Sequence, residues 1–164
     1  MFTQFERDHI YSCKRKIENL VEEKGIPKSN FSVIAGEVFV SILRDKDYKD
    51  IDVFVMNSIL SYTLTAHSIK QNNSEYFKKQ NEKISDVFFD DVKKINTIFT
   101  KYNSRKELLD DFDFAHCCVC YDFYKLYITP QTYKAIMNKK LILHNSSNIS
   151  EYRKQKFKKR GFVE

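Results

Sequence analysis

The stretch Val33-Ile34-Ala35-Gly36-Glu37-Val38, followed after a short apolar run and a polar loop by Asp50-Ile51-Asp52-Val53-Phe54, decides the reading of this chain. Phe31-Ser32-Val33-Ile34 is a short apolar run that suits a buried strand. Ala35-Gly36 reads as a tight small-residue turn, Val38 to Leu43 as a short helix, and 45–49 as a polar loop. Ile51 to Val55 reads as a second strand, with Asp50 at its start. Alternation along a strand puts Asp50 and Asp52 on one face and sends Ile51 and Val53 into a core on the other. Two carboxylates this close repel each other unless they share a cation or a proton. A hard divalent ion, Mg2+ or Mn2+, matches such oxygen ligands and bridges them to phosphate oxygens. The glycine lets backbone approach a phosphate, and the helix that follows adds free N–H groups and the positive end of its dipole. A carboxylate pair beside a phosphate-binding turn is what metal-assisted phosphoryl transfer needs.

Working outward, residues from about Phe5 to Lys24 carry Ile10, Cys13, Ile17, Leu20 and Val21 at helical spacing, and Gly25 and Pro27 stop the helix. The segments 58–70 and 74–83 follow; the first fits strand or helix, and the second reads as an exposed helix. Val92 to Thr100 reads as a strand rich in β-branched and aromatic residues. Ser104-Arg105-Lys106-Glu107 matches a capping box that opens one or two helical turns. Phe112 to Tyr121 reads as a strand, Tyr124 to Ile128 as another, and Thr129-Pro130 starts a helix running to about Lys139. Ser150 caps a last helix, Glu151 to Arg160, which Gly161 ends. The expected fold is α+β: one domain over 1–164, a mixed sheet of about four to five strands flanked by helices, and a basic C-terminal helix over about 150–161.

Composition agrees with a packed domain. With 42% hydrophobic residues and 15% aromatic ones a core can form, and three Gly and two Pro are too few for a turn-rich all-β chain or a disordered linker. The abundance of Lys, Asn, Ile, Phe and Tyr is what AT-rich coding produces, as in some phages, viruses and low-GC bacteria. No apolar run reaches membrane-spanning length and Met1 to Asp8 lacks the apolar core of a secretory signal, so the expected location is the cytoplasm, that of a host for a phage or virus protein. Most of the formal charge of +6 sits in Arg153 to Glu164, which holds six basic residues and one acid. Such a helix can meet phosphates or form a solvated face. Cys117 and Cys120 have zinc-ribbon spacing, but on a strand they point to opposite faces, so buried core thiols are the expectation.

The stretch from Ala35 to Asp52 resembles the polymerase-β-like nucleotidyltransferase superfamily, closest in flavour to the head domain of CCA-adding enzymes and bacterial poly(A) polymerases. Ala35, Gly36 and Val38 match the Gly-Gly-x-Val positions of that head, Ile42 and Leu43 echo its leucines, and Asp50 and Asp52 take its metal-ligand positions. Glu37 stands where a small residue is usual, and Phe39 and Val40 replace an Arg-Asp pair. The resemblance implies Mg2+ or Mn2+ on Asp50 and Asp52, and a nucleoside triphosphate (NTP) at Gly36, Glu37 and Ser41. It also implies a third carboxylate from a later, neighbouring strand. Asp113, an acid between Phe112 and Phe114, is the candidate for that metal-binding and catalytic place, with Asp111 and Asp122 behind it; His116 reads as a core or edge histidine.

Two functions follow. The first is a metal-dependent nucleotidyltransferase moving a nucleoside monophosphate from NTP to a hydroxyl acceptor, an RNA end or another polyanion, with Lys154, Lys158 and Lys159 as acceptor-binding cations. The second, favoured by Glu37, Phe39 and Val40, is a catalytically weak or inactive binding protein with this fold, a phage- or virus-type effector acting on a nucleotide or host protein.

Overall fold

A continuous apolar run at 33–35 and alternating apolar residues at 51–55 build the two central strands, and the sheet they form sets one face against helices. A computed structural model describes residues 1–57, 83–145 and 150–164. Its elements run α1 (Gln4–Lys24), β1 (Ser32–Ala35), α2 (Glu37–Leu43), β2 (Ile51–Val55), β3 (Ile84–Asp90), β4 (Ile95–Thr100), α3 (Arg105–Asp110), β5 (Cys120–Tyr121), β6 (Leu126–Tyr127), α4 (Pro130–Met137) and α5 (Glu151–Lys159). Among the described residues the sheet has six strands in the order β3-β4-β2-β1-β5-β6. It is mixed: β2 and β4 pair in parallel, the other neighbours antiparallel. No helix of the described residues is long and apolar enough to cross a membrane.

The alternation expected of β2 holds. Ile51 and Val53 are buried, and between them Asp52 is only partly covered. Ile34, Ile51 and Val53 share a core with Cys13, Ile17 and Val21 of α1 and with Phe39 of α2. Val33, Ala35 and Cys120 pack with Tyr102 and Leu108 in a second cluster, against which Phe54 of β2 rests. Thr3 caps α1 with a reciprocal box to Glu6, and Gly25 ends it in the left-handed region.

Three readings change. The strand expected over Val92 to Thr100 begins only at Ile95. Asp90 accepts from the Val92 and Lys93 amides and turns the chain there, pairing β4 with β3, a strand absent from the sequence reading. The strand expected over Phe112 to Tyr121 shrinks to Cys120–Tyr121. Its partner β1 offers only Ile34 and Ala35 to it. Upstream backbone groups bond within a 3-10 turn, Cys117 N to Phe114 O and Cys118 N to Ala115 O, while Ala115 N reaches Ile142 O. The strand-face argument for Cys117 and Cys120 therefore lapses; both thiols are buried, and burial pushes Cys120 up to about 12 and Cys117 well above its ordinary value. At Ser104 the cap forms, but Glu107 bonds back to the Asn103 amide, one residue earlier than a capping box requires. The readings of 58–70 and 74–82 lie outside the described residues.

The C-terminal helix forms as expected, with Ser150 accepting from the Arg153 amide. Phe157 is its anchor, buried among Phe114, Cys117, Leu141 and Phe162.

Candidate functional site at the end of the central strands

Gly36 links β1 to α2 with φ 93° and ψ −138°, a conformation that side chains resist. A Cβ built there would meet nothing within 4 Å, so the space beside the turn is open. That space is part of a cavity of about 730 Å³, lined among others by Gly36, Ser41, Asp50, Asp52, Asn96 and Lys156. Gly36→Ala is expected to cost about 1–3 kcal/mol of stability, read by urea unfolding, through backbone strain rather than a clash.

Asp50 and Asp52 reach this cavity together, as the strand register implies. Asp52 lies opposite Asn96 in the parallel pair of β2 and β4, and the Asn96 amide donates to its Oδ1 at 2.9 Å. Burial is the main reason the Asp52 carboxyl is raised to about 6; Glu37 and Asp50 push the same way, and Asn96 and Lys156 oppose them. Asn96, on the strand beside β2, is thus a neutral neighbour of Asp52, whereas the third carboxylate was expected at Asp113.

Asp113 lines the same cavity, but the structure gives it to Arg153. It is buried, and accepts from Arg153 Nε and from Nη2, the latter at 3.1 Å, and from the Phe114 amide. Burial disfavours the Arg153 charge; the Asp113 carboxylate outweighs it and holds the guanidinium charged. Its expected place on the polar face of a strand is lost because the strand does not extend to 113. Among the described residues no set of three or more His, Cys, Asp or Glu side chains converges as metal ligands. Of the two fallbacks, Asp111 accepts from the Tyr102 hydroxyl and Asp122 pairs with Arg105.

Glu37 turns toward the C-terminal helix. Its Oε1 lies 3.0 Å from Lys156 Nζ and its Oε2 3.1 Å from Arg160 Nη1. Burial alone would raise the Glu37 carboxyl; the two cations outweigh it and hold it below its ordinary value. The cations of α5 and its C-cap that line the cavity are thus Arg153, Lys156 and Arg160, spaced around Phe157. Lys154 and Lys158 instead pair with Glu164, and Lys159 is exposed, so none of the three lines the cavity. The apolar anchor at Phe157 already carried the information: helical neighbours at 153, 156 and 160 share its face. His116 is fully buried against Phe157 and Phe162, its ring nitrogens without a partner among the described residues, and burial lowers it to about 4.

Solved structures with the same architecture include the apo form of a CCA-adding enzyme (TM-score 0.54, 14% identity, 79% of this chain and 33% of that one). The Bacillus stearothermophilus CCA-adding enzyme in complex with CTP is similar (TM-score 0.52, 15% identity, 88% and 34%), as is the Thermotoga maritima enzyme complexed with tRNA_CCA (TM-score 0.51, 14% identity, 82% and 32%). At these identities the likeness is one of fold, and the fold is that of the nucleotidyltransferases expected from Gly36, Asp50 and Asp52. A curated relative, "Gabija anti-defense 2" of Bacillus phage SPbetaL7, is 25% identical over 156 residues, covering 94% of this chain and 35% of that protein. This chain therefore spans about a third of the relatives it matches. The family model described as Gabija anti-defense 2 family protein matches residues 6–139, which take in every strand among the described residues and the carboxylate pair, and the chain belongs to that family.

Proposed function

We propose that the chain is a metal-dependent nucleotidyltransferase module that moves a nucleoside monophosphate from an NTP to a hydroxyl acceptor, an RNA end or another polyanion, during a phage's action against host defence. The observation that carries this reading is the presentation of Asp50 and Asp52 beside the open Gly36 turn in one cavity. Its setting is the host cytoplasm, as the phage origin of the curated relative suggests.

The donor set fits a divalent cation. Asp52 is a carboxyl whose negative charge is disfavoured by burial and by Glu37 and Asp50, and a cation would relieve this. Mg2+ ordinarily takes only one or two protein carboxylates and completes its shell with water and substrate phosphates. Asp50 and Asp52 would hold it, and bound there it supplies charge neutralisation at the phosphates. The reaction joins the acceptor oxygen to the α-phosphorus and breaks the bond to the β-phosphate oxygen, so pyrophosphate leaves. The hydroxyl proton passes to solvent, because a cation held on Asp52 would keep that carboxylate ionised. Asn96 fixes the orientation of that carboxylate, and Gly36 and Ser41 leave room for the triphosphate. Asp113 contributes by holding Arg153 at the cavity wall.

Incubation with each labelled NTP, Mg2+ or Mn2+, and total RNA tests the reading. Label is expected in the RNA fraction, and its persistence in Asp52→Ala would sink the mechanism. A second reading, a nucleotide-binding effector without transfer, draws on Asn96 as the neutral neighbour of Asp52. Retained NTP binding with no label transferred to RNA, protein or small-molecule acceptors would favour it.

A further inference from the structure

Two cations on one helix converge on a single carboxylate at the open turn. Lys156 and Arg160 both bind Glu37, one to each oxygen, so this three-residue group carries a surplus positive charge. Arg153 differs, being matched one to one by buried Asp113. Glu37 begins α2 immediately after Gly36, where an added Cβ would find nothing within 4 Å. An anion entering beside Gly36 therefore comes up against Lys156 and Arg160, with the Glu37 carboxylate already in the place it needs.

We propose that Lys156 and Arg160 form the triphosphate-binding clamp of this cavity and that Glu37 is its internal competitor, holding the two cations until a polyphosphate displaces it. The proposal rests on the nucleotide reading above and names the residues that recognise the phosphates. Phe157 fixes the clamp: its ring is buried in the core, and the Lys156 ammonium lies 5.5 Å from the ring centre. The pairs are only partly covered, with side-chain exposures of 29%, 33% and 45% for Lys156, Glu37 and Arg160. Exchange replaces one carboxylate by several phosphate oxygens, which accept stronger and more numerous charge-assisted bonds from a guanidinium and an ammonium.

The test measures calorimetric binding of tripolyphosphate and of ATP with EDTA present, so that metal plays no part. Wild type is expected to bind both. Lys156→Gln with Arg160→Gln is expected to weaken binding about tenfold or more, and Glu37→Gln to tighten it several-fold. Lys28→Gln with Lys134→Gln, an equal loss of charge on exposed residues elsewhere, is the control and should change little. A purely structural role for the cluster would weaken binding in both site variants, so the opposed signs carry the proposal. Equal binding by wild type and the Lys156/Arg160 variant overturns it, as does absence of binding by both wild type and Glu37→Gln. Normal polyphosphate binding without label transfer leaves the clamp standing and removes only the transferase reading.

Discussion

Asp52→Asn is expected to abolish metal-dependent label transfer while making the protein more stable at alkaline pH. The loss of activity should reach about a thousandfold, because a carboxylate that holds a catalytic cation supplies several kcal/mol to the transition state. The gain in stability follows from the raised Asp52 carboxyl. In the unfolded chain it titrates near 3.8 and in the fold at about 6, so the folded state binds the extra proton between these values. Wild-type stability contributed by Asp52 is full below about pH 4 and is lost as pH rises through 6. The neutral amide escapes that loss, and the variant should exceed wild type by about 1–3 kcal/mol at pH 8, with the difference vanishing near pH 4. His116 acts with the opposite sign over an overlapping window, since its imidazole is lowered to about 4 and gives up stability as pH falls. Subtracting the two unfolding curves cancels His116 and isolates Asp52. Added Mg2+ should close the gap at pH 8 by stabilising wild type alone. A variant that is less stable than wild type at pH 8 contradicts the burial of charge inferred at this site.

Phe157→Ala is the second large effect. The ring is buried against Phe114, His116 and Phe162, with centroid separations of 5.6, 4.3 and 5.9 Å. Truncating a core aromatic costs about 3–5 kcal/mol from lost transfer energy and the cavity left behind. Here the loss falls on the one element that carries Arg153, Lys156 and Arg160. Urea unfolding should show the full cost, and polyphosphate binding should weaken in parallel because the clamp loses its support. Phe157→Leu, which keeps most of the volume, should retain most of both. Full stability in Phe157→Ala would mean that α5 does not depend on this anchor.

The central part of the fold was legible because its signals are local. Alternation in Ile51 to Val55, the Gly25 stop, and the caps at Thr129 and Ser150 each act within a few residues, and each element stands close to where its residues predict. The segment Phe112 to Tyr121 misled because its aromatic and β-prone character is equally that of a buried turn. Only the length of β1 and the docking of α5 decide which part pairs.

The same division holds for the site. From the sequence alone, Asp50 and Asp52 share a face, Gly36 precedes a helix, and positive charge gathers on the last helix, since strand pleat and helical pitch set the first two relations and residue counts the third. Which groups meet was left to the tertiary structure. It put Asn96 beside Asp52, gave Asp113 to Arg153, and turned Lys156 and Arg160 onto Glu37. Those partners all lie 40 or more residues apart, and no local period encodes them. Their meeting follows from parallel pairing of β2 with β4 and from the burial of one phenylalanine. The carboxylate pair is therefore a property of one short strand, whereas its charge environment is a property of the packed chain.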